Sequence, residues 1–128
     1  KQIITFEKFL EALNWVEAGG RKKNVPPGDN GKAVGPLQIH REYWKDAVDW
    51  YAGNGIILKK DHKYYAQCND WEYSKFIVYG YLKRYASAAL REGDWEKLAR
   101  IHNGGPNGMK KKATIPYWEK VADALKKI

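Results

Sequence analysis

Residues 5–20 read TFEKFLEALNWVEAGG, and this stretch sets the fold class. Thr5 can cap a helix that runs to about Ala18 and stops at Gly19-Gly20. Phe6, Leu10 and Leu13 recur at helical spacing, joined by Phe9 and Val16. Glu17 follows Phe6 by eleven positions, close to three turns, so it falls on the same stripe as Leu10 and Leu13. A carboxylate on a buried face is partly desolvated, and in the last turn of a helix the dipole's negative end opposes an anion. Both effects favour the proton-bearing form that a general acid needs. The competing reading is a frayed helix end whose carboxylate simply reaches water.

The pattern continues as helix on the far side of an irregular stretch. A second helix is expected over Arg41 to about Tyr51 and a weak third over Leu58 to Gln67. Asp70 can cap a long fourth, Trp71 to Leu90, with Phe76, Tyr79, Leu82 and Tyr85 facing inward. Asp94 can cap a fifth, Trp95 to about His102. Thr114, with Pro116 near the start, opens a sixth that reaches Lys127. Residues 21–38 do not read as helix. They suit a small hairpin with Asn30-Gly31 as its turn. The fold class is therefore mainly α with a small β or irregular lobe between the first two helices.

The chain has 128 residues, enough for a single domain spanning 1–128 that buries about two-thirds of its extended surface. Hydrophobic residues at 44% and charged residues at 30% exclude a disordered chain. No apolar run is long enough for a membrane span, and there is no basic-then-apolar N-terminal signal. The first residue is Lys1 rather than Met, as after removal of a leader or tag. The formal net charge of +8 predicts attraction to polyanions such as nucleic acid, an anionic membrane face or an acidic cell-wall polymer. Six Trp and nine Tyr suit either a sugar- or base-stacking surface or an ordinary small core. Trp44, Trp50, Trp71, Trp95 and Trp118 lie on helical stripes and read mostly as core. The single cysteine, Cys68, rules out an intramolecular disulfide and any zinc site built on paired cysteines. It lies among polar residues with no histidine nearby, so a nucleophilic role is not expected.

The loop after the first helix, VPPGDNGKAVGPLQIH (residues 25–40), supplies Asp29. Two carboxylates in unlike settings, one apolar and one polar, are what glycoside hydrolysis requires. Plain turn chemistry explains a Gly-Asp-Asn-Gly run equally well.

Five stretches then occur in a particular order: WVEAGG (15–20), GPLQIHREYWKDA (35–47), YLKRYA (81–86), LARIHNGGPNG (98–108) and YWEKV (117–121). Over about residues 12–122 the chain resembles the invertebrate-type lysozymes, the destabilase group, and the block at 102–108 is the most specific part of the match. The resemblance implies a lysozyme-superfamily fold with two lobes flanking a cleft. It implies Glu17 as general acid and Asp29 as the second carboxylate. It implies Gln38, Ile39 and His40 as the segment lining the cleft, Tyr81 as a tyrosine facing bound sugar, and His102, Asn103 and Gly104 as the opposite wall. His102 alone also suits the end of a helix, where the dipole favours it.

The departures are informative. Animal members of the family are rich in cysteine, and Cys68 matches none of their motif cysteines, so the chain looks like a bacterial or phage relative held together by packing. The loop from Asp29 to Gly35 is one residue shorter. Lys32, Ala33 and Val34 stand where some members carry a serine used with the loop histidine for isopeptide cleavage, so that second activity is not expected. The expected function is a peptidoglycan hydrolase that cleaves between N-acetylmuramic acid and N-acetylglucosamine. No metal or cofactor is implied. The expected partner is peptidoglycan or a chito-oligosaccharide, met by a monomer that is secreted, periplasmic or associated with the cell wall. The rivals are a lytic transglycosylase using Glu17 alone, a non-catalytic wall- or chitin-binding module and, last, a nucleic-acid binder, since the lysines form no basic helix motif.

Overall fold

The computed structural model describes residues 3–59 and 65–128. Its elements in chain order are α1 (Phe6–Ala18), α2 (Arg41–Gly53), a 3-10 turn (Gln67–Asn69), α3 (Trp71–Tyr85), α4 (Ser87–Glu92), α5 (Trp95–Gly104), a second 3-10 turn (Gly108–Lys110) and α6 (Thr114–Lys127). Three of the expected caps are formed. The side chains of Thr5, Asp70 and Asp94 accept from the backbone N–H of Lys8, Tyr73 and Lys97. At the other end of α1, Gly19 takes φ 61° and its N–H and that of Gly20 close back on Trp15 and Asn14, a conformation a side chain disfavours.

Helix α2 packs on α3, and α6 packs on both α1 and α5. Phe9, Leu10, Leu13, Leu37, Ile39, Trp44, Val48, Ile77, Leu82, Leu98, Ile101 and Val121 meet in one core. Gly80 lets α2 approach α3 closely, because a Cβ there would run into the Tyr51 ring. Among the described residues no helix is long and apolar enough to cross a membrane.

Several expectations are corrected. The long fourth helix breaks at Ala86, where φ is −147°. Nothing in Ala86–Leu90 opposes helix locally, so the packing of α4 between α3 and α5 decides the break. Of the expected stripe, Leu82 is buried and Tyr85 packs against the core, but Ser74, Ile77, Val78 and Tyr81 share the buried face of α3 in place of Phe76 and Tyr79. Phe76 and Tyr79 are therefore 37% and 41% exposed. They cover neighbouring rings instead: Phe76 stacks on Tyr51 and Tyr79 meets Phe6 edge-on. Of the tryptophans only Trp44 is fully buried; Trp71, Trp95 and Trp118 lie partly buried against the core, and Trp50 is half-buried. The last helix does open at Thr114 and reach Lys127 as expected, with the Thr114 hydroxyl used by Arg100 and by the carbonyls of Gly108 and Lys111. Of the helix expected over Leu58–Gln67, residues 60–64 lie outside the described residues, and Leu58 and Lys59 are irregular.

The segment between α1 and α2 holds two isolated antiparallel bridges, Gly28 with Ala33 and Val34 with Ile39, rather than a β lobe. Asp29, Asn30, Gly31, Gly35 and Gln38 all have positive φ, so no extended run survives long enough for a strand. Asn30-Gly31 do form the centre of the expected turn, with Lys32 N–H bonded to Asp29 O at 3.1 Å. Buried Asn14 ties this segment to α1 by donating to the carbonyls of Arg21 and Pro36. From the other side Tyr65 Oη donates to Lys32 O at 2.6 Å.

Candidate active site

The end of α1, the irregular segment, the start of α2 and the end of α5 enclose a cavity of about 290 Å³ lined by Glu17, Asp29, Ala33, Gln38, His40, Tyr43, His102 and Asn103. The fold thus brings together six of the nine residues singled out in the sequence. The other three are elsewhere. Ile39 is 1% exposed within the core, its backbone paired with Val34. Tyr81 is 4% exposed and lies behind Tyr43, the two rings stacked 3.6 Å apart. Gly104 faces α6, where an added Cβ would press on Thr114 at 2.5 Å.

Glu17 is neither frayed nor fully buried: its side chain is 19% exposed. Its Oε2 accepts from Tyr117 Oη at 2.8 Å and lies 3.3 Å from His102 Nε2. His102, nearly buried in the last turn of α5, has its Nδ1 2.8 Å from Tyr43 Oη. Burial pushes the phenols of Tyr43 and Tyr117 well above the ordinary tyrosine range, and the Glu17 charge adds to it. Both therefore remain protonated.

Asp29 has a different setting. It sits at φ 48° on the exposed turn, its side chain 60% exposed, with Oδ2 2.7 Å from His40 Nε2. The hydrogen bond from His40, backed by the charges of His40 and Lys32, holds the Asp29 carboxyl below its ordinary value of 3.8. His40 opens α2 without a side-chain cap bond, its Nε2 being turned to Asp29. Gln38, at φ 51°, folds its amide back onto Gly35 O at 3.0 Å.

The loop after α5 is held rigidly under this wall. Arg100, 8% exposed, donates to Glu96, Thr114 and the Met109 carbonyl. Gly108 packs so closely on the Arg100 carbonyl that a Cβ would collide with it. Sequence reasoning missed Tyr43 and Tyr117. Both lie within stretches that carried the resemblance, but nothing in the local pattern distinguishes them from core aromatics. Their partners arrive from elements up to 100 residues away.

Comparison with known structures places the mostly helical fold in the lysozyme class. The crystal structure of Tapes japonica lysozyme superposes with a TM-score of 0.69 at 34% identity, covering 90% of this chain and 86% of that one. Two sequence relatives agree. A lysozyme of Magallana gigas is 36% identical over 88% of this chain and 74% of its own length. An invertebrate-type lysozyme of Ruditapes philippinarum is 35% identical over 88% and 76%. The Destabilase family model matches residues 8–124. The chain belongs to the Destabilase family, with the invertebrate-type lysozymes, and is a glycoside hydrolase of the lysozyme type.

Proposed function

We propose that this chain is a muramidase that hydrolyses the β-1,4 bond between N-acetylmuramic acid and N-acetylglucosamine of peptidoglycan, with Glu17 as general acid and base and Asp29 as the second carboxylate. One observation carries the reading: Glu17 and Asp29 line the same cavity in unlike surroundings. Glu17 is enclosed by Tyr117 and His102, while Asp29 is open to water beside His40. Glu17 protonates the leaving oxygen as the glycosidic bond breaks. The Asp29 carboxylate stabilises or captures the oxocarbenium centre. Glu17 then takes a proton from the attacking water. In this reading the cavity is the cleft between a helical lobe and the irregular lobe, and Gln38, His40 and Asn103 contact the sugar. Residues 1–128 form one catalytic domain, working as a monomer at or outside the cell wall, where its net charge of +8 concentrates it on anionic polymer.

Mass spectrometry of products from purified peptidoglycan tests this. Reducing-end muropeptides are expected, and Glu17→Gln lowers their release by at least about a hundredfold, the lower end of a general acid's contribution. Near wild-type release by a folded Glu17→Gln variant would overturn the assignment. The contact of Asp29 with His40 favours one second reading, a lytic transglycosylase in which Glu17 acts alone. Anhydro products in the same spectra would select it.

A further inference from the structure

The two oxygens of Glu17 have different surroundings. Tyr117 Oη donates to Oε2 at 2.8 Å, and His102 Nε2 lies 3.3 Å from that same atom. Oε1 takes part in neither contact. The His102 ring is set from behind by Tyr43, whose Oη lies 2.8 Å from Nδ1. Tyr43 is itself held flat against Tyr81, the ring planes 8° apart. Tyr43 is buried and keeps its proton, so its hydroxyl is able to donate to Nδ1. With that bond donated by Tyr43, a neutral His102 carries its hydrogen on Nε2, on the side of Glu17 Oε2.

We infer that Tyr117, His102 and Tyr43 form a positioning relay that reserves Oε2 of Glu17 as an acceptor and leaves Oε1 as the oxygen that gives up and recovers the proton. This rests on Glu17 being the acid of the proposed reaction. With Tyr117 Oη and the Nε2–H of His102 both donating to Oε2 in this arrangement, the acid proton resides on Oε1. In the first step the Oε1–H bond breaks and an O–H bond forms to the leaving oxygen. The electrons of the glycosidic C–O bond go to that oxygen. The charge left on the carboxylate is stabilised by the two donors at Oε2. In the second step water bonds to the anomeric carbon and returns its proton to Oε1. His102 is thus a positioning residue rather than the sugar contact that the family resemblance implies.

The test is infrared difference spectroscopy of the full chain without substrate, at a pH acidic enough to protonate Glu17, with Glu17→Gln identifying the Glu17 band. Oε2 is then the carbonyl oxygen, and its accepted hydrogen bonds lower the stretching frequency. Tyr117→Phe removes one of them, and the Glu17 band moves to higher wavenumber. On a short chito-oligosaccharide, Tyr117→Phe lowers kcat roughly ten- to a hundredfold, the loss expected for one hydrogen bond to a charged group, with KM held. His102→Gln, which keeps an N–H near the Nε2 position, retains more kcat than His102→Leu. That pair reads the relay even where Tyr117→Phe fails to fold. An unmoved band in folded Tyr117→Phe, or equal kcat losses in the two His102 variants, overturns the inference. An active Glu17→Gln variant would instead overturn the muramidase reading, while a band shift would still stand.

Discussion

Tyr117 and Glu17 stand 100 residues apart in the chain, and the phenol hydroxyl of one donates to Oε2 of the other at 2.8 Å. The bond crosses the interface between α1 and α6, so the packing of two helices sets the position of this carboxylate. Glu17 lies one turn beyond Leu13, which is buried in the core. Its carboxylate is therefore placed by the same contacts that hold the protein together, and loosening of α6 should reach the chemistry directly.

Replacement of Asp29 separates its two readings. Asn tolerates the same positive φ at this turn, so Asp29→Asn should leave the melting temperature nearly unchanged. Loss of the charge should lower cell-wall hydrolysis by at least about a hundredfold, because a carboxylate facing the oxocarbenium-like centre stabilises or captures it. Unaltered hydrolysis would reduce Asp29 to a turn residue.

The partner of Asp29 gives a pH prediction. Its carboxyl is held below its ordinary value of 3.8 by His40. A depressed folded value means that the contact with His40 is fully present above 3.8 and is lost as pH falls through the lower folded value. NMR titration of the Asp29 carboxyl carbon should give a midpoint below 3.8, and His40→Ala should move it up toward 3.8. A midpoint indifferent to His40→Ala would mean that the pair does not persist in solution.

Surface charge should act on encounter with the wall rather than on bond cleavage. Between about 0.01 and 0.15 M salt the screening length falls from roughly 30 to 8 Å. Lysis of whole cells should drop over that range, while cleavage of a short neutral chito-oligosaccharide stays nearly constant. Equal sensitivity of the two substrates would exclude steering by the net charge of +8.

Cys68 is fully buried, and burial pushes its thiol up to about 12. The thiolate is the reactive form, so a thiol reagent should leave the native chain unmodified and label one site after unfolding. A reducing agent should not change the melting temperature. Rapid labelling of the native protein would contradict this environment.

The loop beneath His102 and Asn103 depends on Gly108. A methyl group there meets the Arg100 carbonyl carbon at 2.6 Å, so the backbone must move. Gly108→Ala should destabilise the fold by about 1–3 kcal/mol in denaturant titration, the ordinary cost of overpacking. The folded fraction should also lose activity as the α5 wall shifts. Wild-type stability and rate would show that the loop yields without cost.

The local parts of the fold are legible in the order of residues. The caps at Thr5, Asp70 and Asp94, the stop at Gly19 and the turn at Asn30-Gly31 rest on residues within a few positions of each other, so side-chain chemistry and backbone preference suffice to read them. Glu17 was legible for the same reason, since its distance from Phe6 on one helix is a matter of period. Asp29 was a candidate from its Gly-rich loop, with plain turn chemistry as the alternative, and the family resemblance favoured its catalytic role and added the cavity-lining residues Gln38, His40, His102 and Asn103. The break at Ala86, the burial of Ile77 and Val78 in place of Phe76 and Tyr79 beside the expected Leu82, and the retreat of Tyr81 behind Tyr43 come from tertiary packing. In each case local propensity is neutral and packing against another helix chooses among conformations of similar intrinsic energy. Tyr117, His102 and Tyr43 belong to the same group. They come from three different helices, and no spacing within one segment encodes which hydroxyl or ring nitrogen will face a given oxygen of Glu17.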